Sequence, residues 1–334
     1  MSRKTLKKCL ASKSKNKTRR HNHKNITHEL KSISTKDIND DYQTIKSVGC
    51  RLKLGARSRV GNKVVDAFTL EERLHTKGDQ GISFYDFWEC RDHYAKKDYV
   101  RKMLDFYKGR KTSDIRKHRY IFNLYFSNIA IFSPLRAMDI YCKVKANRVL
   151  DFTMGWGGRL VGACALGLDA YYGVDINKHL KRPYSKLTQF LESDKDHKTK
   201  IQLHFEDALK VDYSKMDYDC VLTSPPYYNI EVYRGKQPKY KSKEEWNNKF
   251  YKPLFEKTYK HMKKGGHYCL NVNEEIYENA CVPVLGKATQ KHKLKKETRI
   301  KSKNKSKNKS KNKSKISKNL KESNYQEYVY IWVK

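Results

Sequence analysis

Between residues 148 and 272 the chain repeats one pattern: a short apolar run, a polar or glycine-rich turn, then a stretch whose apolar positions recur every three or four residues. The apolar runs 148–151, 170–175, 201–205, 219–222 and 266–271 predict strands, and the stretches 159–168, 178–192, 244–262 and 274–290 predict helices. Trp246, Phe250, Leu254 and Tyr259 are the apolar anchors of the third of these helices. Strands alternating with helices imply βαβ units and an α/β fold with a doubly wound parallel sheet. A last strand, 327–333, follows the tetrapeptide repeat KSKN of residues 301–316, which has no apolar residue before Ile316 and cannot build a core. The repeat therefore reads as a long loop between a strand near 294–300 and the final strand, because loop closure costs entropy only logarithmically in length.

Upstream the pattern differs. Residues 64–126 are dense in Phe, Tyr and Trp. Tyr99, Met103, Phe106 and Tyr107 follow helical spacing, as in a helical subdomain whose aromatics form either a core or a stacking platform for nucleic acid; the core reading is the simpler. Residues 1–40 are rich in Lys, Ser and Asn and predict disorder, with structure beginning near Tyr42. The expected division is a disordered basic segment 1–40, a helical, aromatic-rich region 41–125, and an α/β domain 126–334 carrying a basic low-complexity insertion at 301–318.

Charge adds a partner to this picture. The 334 residues carry a formal net charge of +37, with +9 in residues 1–40 and +14 in residues 287–318. A chain this basic attracts polyanions, nucleic acid first among them, although such runs also serve only to solubilise. No apolar run approaches the ~18 residues of a membrane span, so no membrane is expected. The 8 cysteines form no CxxC pair and are scattered through predicted elements, which points to reduced core thiols in an intracellular protein. His21, His23 and His28 lack a carboxylate or cysteine framework, so no metal site is expected.

Two segments carry chemistry. Asp151-Phe-Thr-Met-Gly155-Trp-Gly157-Gly158-Arg159 follows a strand and opens a helix, where glycines permit tight turning and close approach to a ligand. Asp175 closes the second strand and Asp207 the third; at the carboxyl edge of a doubly wound sheet, an acid such as Asp175 accepts hydrogen bonds from ribose hydroxyls. Neither GxGxxG nor a P-loop is present. The second segment, Ser224-Pro225-Pro226-Tyr227, ends the fourth strand. Prolines stiffen that turn, the Ser224 hydroxyl and a carbonyl present acceptors, and Tyr227 offers a flat face. This suits a planar substrate with an exocyclic amine: the ring stacks, the amine donates, and its nitrogen gains the sp³ character needed for attack.

The glycine turn and the tetrapeptide, in this order, resemble the S-adenosylmethionine-dependent amino-methyltransferases that act on DNA at cytosine N4 or adenine N6. The resemblance covers residues 120–334 and implies a Rossmann-like seven-stranded methyltransferase sheet. It implies S-adenosylmethionine as cofactor, with Asp151, Gly155, Gly157 and Gly158 in the cofactor loop, Asp175 on the ribose and Asp207 on the adenine ring. Ser224, Pro225, Pro226 and Tyr227 are the implied catalytic residues, and Phe132-Ser-Pro134-Leu-Arg-Ala137 resembles the element at the cofactor's methionine end. The partner so implied is nucleic acid, specifically DNA. Ser224 leans towards cytosine N4 within this family. The tyrosine-rich helical preface resembles phage and large-virus homologues, which implies the cytoplasm or nucleus of a host. Only about 65 residues separate Gly158 from Ser224, so target reading falls to residues 40–120 or the loop 228–243. An RNA or protein amine methyltransferase, or a catalytically silent nucleic-acid-binding protein of the same fold, are the competing readings.

Overall fold

The computed structural model describes residue 9 and residues 16–51, 58–78, 80–127, 129–235, 238–294 and 328–334. The basic insertion 301–318 lies outside them.

The apolar runs form one sheet: β1 Arg148–Asp151, β2 Ala170–Val174, β3 Lys200–His204, β4 Cys220–Thr223 and β5 His267–Val272. β6 Gln290–Lys293 and β7 Tyr328–Val333 complete it, in the order β3-β2-β1-β4-β5-β7-β6. β1 to β5 pair in parallel, while β7 runs antiparallel to both β5 and β6. β1, β2 and β4 are buried almost throughout, as continuous apolar strands of a covered parallel sheet must be. The chain winds outward from β1 to β3, then returns to β4 on the other side of β1. That reversal opens a crevice at the carboxyl ends of β1 and β4, where doubly wound sheets bind ligands.

Helices cover both faces. α1 Asn16–Lys31, α2 Thr35–Val48 and α3 Asn62–His75 precede α4 Phe84–Glu89 and α5 Arg91–Ala95. The hairpin α6 Asp98–Tyr107 and α7 Asp114–Tyr125 follows, then α8 Pro134–Val144, α9 Gly158–Leu166 and α10 Lys181–Glu192. α11 runs through Lys243–Trp246, a π-helical turn Asn247–Tyr251 and Lys252–His261. α12 spans Glu274–Ile276, a second π turn Tyr277–Cys281 and Val282–Leu285. One face of the sheet packs under α8, α9 and α10 with Tyr42, Ile45, Val64 and Val65 from α2 and α3; the other packs under Trp246, Phe255 and Ile276. A third core, built from Phe84, Phe87, Ile121 and Phe122, takes Leu70 and Leu74 from the far end of α3. α3 thus belongs to both cores and seats the helical region on the sheet.

Three expectations are corrected. Disorder through residue 40 gives way to helix at Asn16–Lys31 and Thr35–Val48. α1 is polar on average, but Ile26 and Thr27 are buried, Thr27 shares a hydrogen bond with the Tyr85 hydroxyl (2.5 Å), and His23 stacks on the Tyr85 ring at 4.0 Å. Burying one such aliphatic side chain is worth about 1.5–3 kcal/mol, an anchor that segment-averaged composition hides. α2 starts in a capping box between Ser34 and Asp37.

Reduced cysteines give way in part to two disulfides, Cys9–Cys90 and Cys50–Cys142, whose Cα atoms lie 6.1 and 5.6 Å apart. The partners are 81 and 92 residues apart in sequence, so spacing gave no sign of them. Cys164, Cys220, Cys269 and Cys281 are free and buried. The sixth strand starts where the helix predicted to reach residue 290 has already ended, at β6 Gln290–Lys293; its residues Gln-Lys-His-Lys carry no apolar signal, Lys291 lies 4.2 Å over the Tyr328 ring of β7, and residues 295–300 lie outside the described chain. Among the described residues no helix is long and apolar enough to cross a membrane.

Candidate active site

The carboxyl ends of β1, β2 and β4 open into one cavity of about 290 Å³. Gly155 and Gly158, Asp175, Asp207, and Ser224 through Tyr227 all line it, and so do Phe132 and Arg136. Asp151 and Gly157 do not.

Asp151 is fully buried behind the cavity wall. Its Oδ2 accepts from Arg159 Nε and from the Tyr171 hydroxyl, both at 2.6 Å, and its Oδ1 accepts from the Thr223 hydroxyl at 2.8 Å. Arg159 donates a further bond to the Thr153 carbonyl (2.5 Å). Burial opposes the charge on Arg159, but the Asp151 carboxylate outweighs it and holds the guanidinium protonated. One acid therefore ties β1, β2, β4 and α9 together, which makes it an anchor of the loop rather than a cofactor contact. The period of a strand explains this: Val149 and Asp151 share the face towards α8 and α9, whereas Leu150 and Phe152 point into the opposite core.

The glycines divide the labour. Gly155, at φ +55°, has only the Thr153 carbonyl within contact of a Cβ position (3.8 Å) and donates its N–H to Asp175 Oδ2 (2.9 Å). Gly157, at φ +90°, caps α9, and a Cβ there would lie 2.8 Å from Leu187, so it serves helix packing. A Cβ on Gly158 would fall 1.9 Å from the Phe132 carbonyl; only glycine lets α9 approach the 132–134 segment. Tyr184 of α10 braces the turn by donating to the Met154 and Gly155 carbonyls (3.2 and 3.1 Å).

Asp175 Oδ1 accepts the Asn177 N–H (2.8 Å). Burial pushes its carboxyl up to about 6, with the two backbone N–H bonds pulling the other way. Both oxygens keep lone pairs for further donors. Asp207 accepts the Leu209 N–H at 3.0 Å on the same side of the cavity.

At the other end the Ser224–Tyr227 turn is held from outside. Tyr251 of α11 donates to the Pro226 carbonyl (2.5 Å) and accepts the Tyr228 N–H (2.9 Å), stabilising Tyr228 at φ 53°. Asn271 of β5 lines the cavity and is buried. Its Nδ2 donates to the Tyr328 carbonyl (2.9 Å), which fixes the amide so that Oδ1 faces Ser224 and accepts its hydroxyl at 3.1 Å. The Tyr227 hydroxyl reaches the same residue only at 3.4–3.5 Å. A serine that donates to Asn271 keeps its oxygen lone pairs for an incoming N–H. Trp246 and Phe250 complete the wall at this end.

The segment after the turn crosses the cavity. Ile230, Glu231 and Tyr233 line it, and the Tyr233 hydroxyl donates to Glu231 (2.6 Å). Burial raises the Glu231 carboxyl above its ordinary range, opposed by that bond. Val232 pairs with Lys77 as an antiparallel bridge, and Arg234 donates to Glu72 of α3 at 2.7 Å. The helical region thereby grips the segment leaving the Ser224–Tyr227 turn.

Sequence reasoning missed Asn271, Tyr251, Tyr184, Glu231 and Tyr233. The one available signal was Asn271, a polar residue near the carboxyl end of an otherwise apolar strand.

No family model and no curated protein matches the chain. Among solved structures it is similar to TehB from Haemophilus influenzae, with 15% identity over 46% of this chain and 44% of that one at TM-score 0.29. It is similar to an S-adenosylmethionine-dependent methyltransferase from Clostridium acetobutylicum (14%, 54% and 63%, TM-score 0.33) and to a SAM-dependent O-methyltransferase from Thermotoga maritima (12%, 64% and 70%, TM-score 0.37). The chain spans less than two thirds of the length of the first two. At these scores the ground for the fold is the strand order of this sheet itself, a Rossmann-like seven-stranded α/β arrangement.

Proposed function

We propose that this chain is an S-adenosylmethionine-dependent methyltransferase acting on an exocyclic amine of a DNA base, cytosine N4 or adenine N6. The observation that carries the reading is that one cavity joins the Gly155–Asp175 cradle to the Ser224–Asn271 pair beside Tyr227.

The residues fit the cofactor. Gly155 leaves room where any side chain would intrude, Asp175 offers carboxylate lone pairs suited to two ribose hydroxyls, and Asp207 stands ready for an adenine amine. When bound, S-adenosylmethionine supplies a methyl group activated by its sulfonium. The chain's own task is positioning. Ser224 accepts one amine N–H, its own proton committed to Asn271. Tyr251 occupies the Pro226 carbonyl, which leaves the Pro225 carbonyl as the second acceptor on the turn. Tyr227 stacks on the ring, offsetting the few kcal/mol needed to take a base out of a duplex.

No cysteine stands among the described residues lining the cavity, so methylation of a ring carbon through thiolate attack has no nucleophile there. That favours an amine. The test is incubation of the full chain with labelled cofactor and a panel of DNA, RNA and protein. Label should enter DNA and be lost with Ser224→Ala; label entering only RNA or protein, or none despite cofactor binding, would overturn the reading.

A further inference from the structure

Large exposed apolar side chains are few, and they are not scattered. Of the eight among the described residues, five sit on the α6–α7 hairpin: Tyr99 (37% exposed), Phe106 (54%), Tyr120 (52%), Leu124 (56%) and Tyr125 (39%). The inner face of the hairpin is satisfied without them, because Val100, Ile121 and Phe122 are fully buried in the helical core. The outer rings are therefore not spill-over from packing. They are ordered among themselves: Tyr99 meets Tyr125 at 4.9 Å between centroids, and Tyr107 stacks on Tyr120 at 6.0 Å and 16°. Arg110 lies 4.0 Å over the Phe106 ring.

Charge surrounds these rings. Residues 96–117 hold nine Lys and Arg against three Asp. Beside them runs an open groove between α1 and the start of α7, lined by His28, Ser32, Lys111, Ser113, Arg116 and Tyr120. Arg116 is set in place by the Glu29 carbonyl (2.9 Å) and the Ser32 hydroxyl. Glu29 is the groove's one carboxylate residue. Tyr120 belongs to both the ring face and the groove, so an aromatic platform and a cationic, hydroxyl-lined channel are continuous.

We propose that this face binds single-stranded nucleic acid, with unpaired bases stacked on Tyr99, Phe106, Tyr120 and Tyr125 and phosphates passing Lys111 and Arg116. A duplex hides its ring faces in its own stack, whereas unpaired bases present them, and exposed aromatics with interleaved cations are the surface that takes them. Protein interfaces are depleted in lysine at their centre, which is the reverse of this surface. The inference goes beyond the methyltransferase reading and stands on residues outside the cavity.

The experiment is fluorescence anisotropy with the full chain, using a labelled oligo-dT of about twenty nucleotides and, separately, a duplex of equal length. Tyr120→Ala with Phe106→Ala should weaken oligo-dT binding on the order of tenfold or more, since a stacked base is worth ~1–3 kcal/mol. Tyr120→Phe should keep most of the affinity. Lys111→Gln should flatten the salt dependence by somewhat less than one unit of slope, as for one phosphate contact on a single strand. Cofactor titration of each variant separates a lost surface from a lost fold. Unchanged oligo-dT affinity in the double variant overturns the proposal. So does a preference for duplex, or a double variant that loses only self-association or binding to anionic vesicles. Strand binding without methyl transfer would sink the enzyme reading and leave this one standing; the opposite result does the reverse.

Discussion

The carboxyl edge of the sheet and the α6–α7 hairpin depart in opposite senses from the usual distribution of side chains. At the sheet edge, charged, hydroxyl and amide groups go inside: Asp151, Arg159, Thr223 and Asn271 are all buried, and each has its partners. On the hairpin, aromatic rings go outside although the core beneath is already filled. Buried polar groups persist only where geometry satisfies them, and exposed rings cost solvation that a partner would recover. The two departures mark different work. The buried network holds its groups in one hydrogen-bonded geometry, and the exposed rings leave a face open to a partner.

The strongest way to break this contrast is at Asp151. Asp151→Ala leaves Arg159 buried without its carboxylate, and should destabilise the fold by about 3–5 kcal/mol in chemical denaturation. The solvent-exposed pair Lys249–Glu245, cut by Lys249→Ala, should cost far less, because water screens it. Equal small costs at both would show that Asp151 is no anchor and return it to the role of a cofactor contact.

Tyr227→Ala sharpens the comparison from the catalytic side. It removes a stacking face worth ~1–3 kcal/mol, so single-turnover methyl transfer should slow by roughly one to two orders of magnitude while cofactor affinity holds. Tyr227→Phe, which keeps the ring face, should retain most of the transfer; the hydroxyl's bonds to Asn271, at 3.4–3.5 Å, are weak. Asn271→Ala should behave like Tyr227→Ala, and a loss of methyl transfer with cofactor affinity unchanged would mark it as a positioning residue.

A smaller effect comes from pH. Asp175 titrates near 6 in the ligand-free chain against an ordinary 3.8. The folded state therefore holds this proton more tightly than the unfolded one, a stabilisation present below pH about 4 and lost as pH rises through 6. Ribose hydroxyls need the ionised acceptor, so cofactor affinity runs the other way. It should be flat above pH 7 and fall by up to about tenfold per unit below 6, and calorimetry across pH 5–8 reads it directly. Asp175→Asn should lower the affinity and flatten the profile.

Much of the sheet edge was legible in the sequence, because a strand that ends in Asp175 or in Ser224-Pro225 announces its carboxyl end by composition alone. What a linear reading could not supply was direction and distance. Asp151 was read as facing the ligand because it closes β1, yet strand parity turns it inward. Gly157 was read as a cofactor glycine, yet its neighbour is Leu187 from another helix. Tyr251, Asn271 and Tyr184 act across 25 to 47 residues of chain, where no local pattern links them to the turns they hold. Tyr99, Met103, Phe106 and Tyr107 were read as core from their helical spacing, yet Tyr99 and Phe106 are exposed and Met103 is only partly buried, while Val100 is the residue of α6 that the core takes in; spacing gives a helix face but not which side it turns to. Helix α1 escaped because Ile26 and Leu30 are diluted by the fourteen polar residues among its sixteen.

The measurement that bears most directly on the central claim is the chemical position of the transferred methyl. DNA treated with the chain and isotopically labelled S-adenosylmethionine is digested to nucleosides and resolved by mass spectrometry. The account predicts label on an exocyclic nitrogen, as N4-methylcytosine or N6-methyladenine, abolished by Ser224→Ala. Label on cytosine C5, or the same yield from Ser224→Ala, would contradict it.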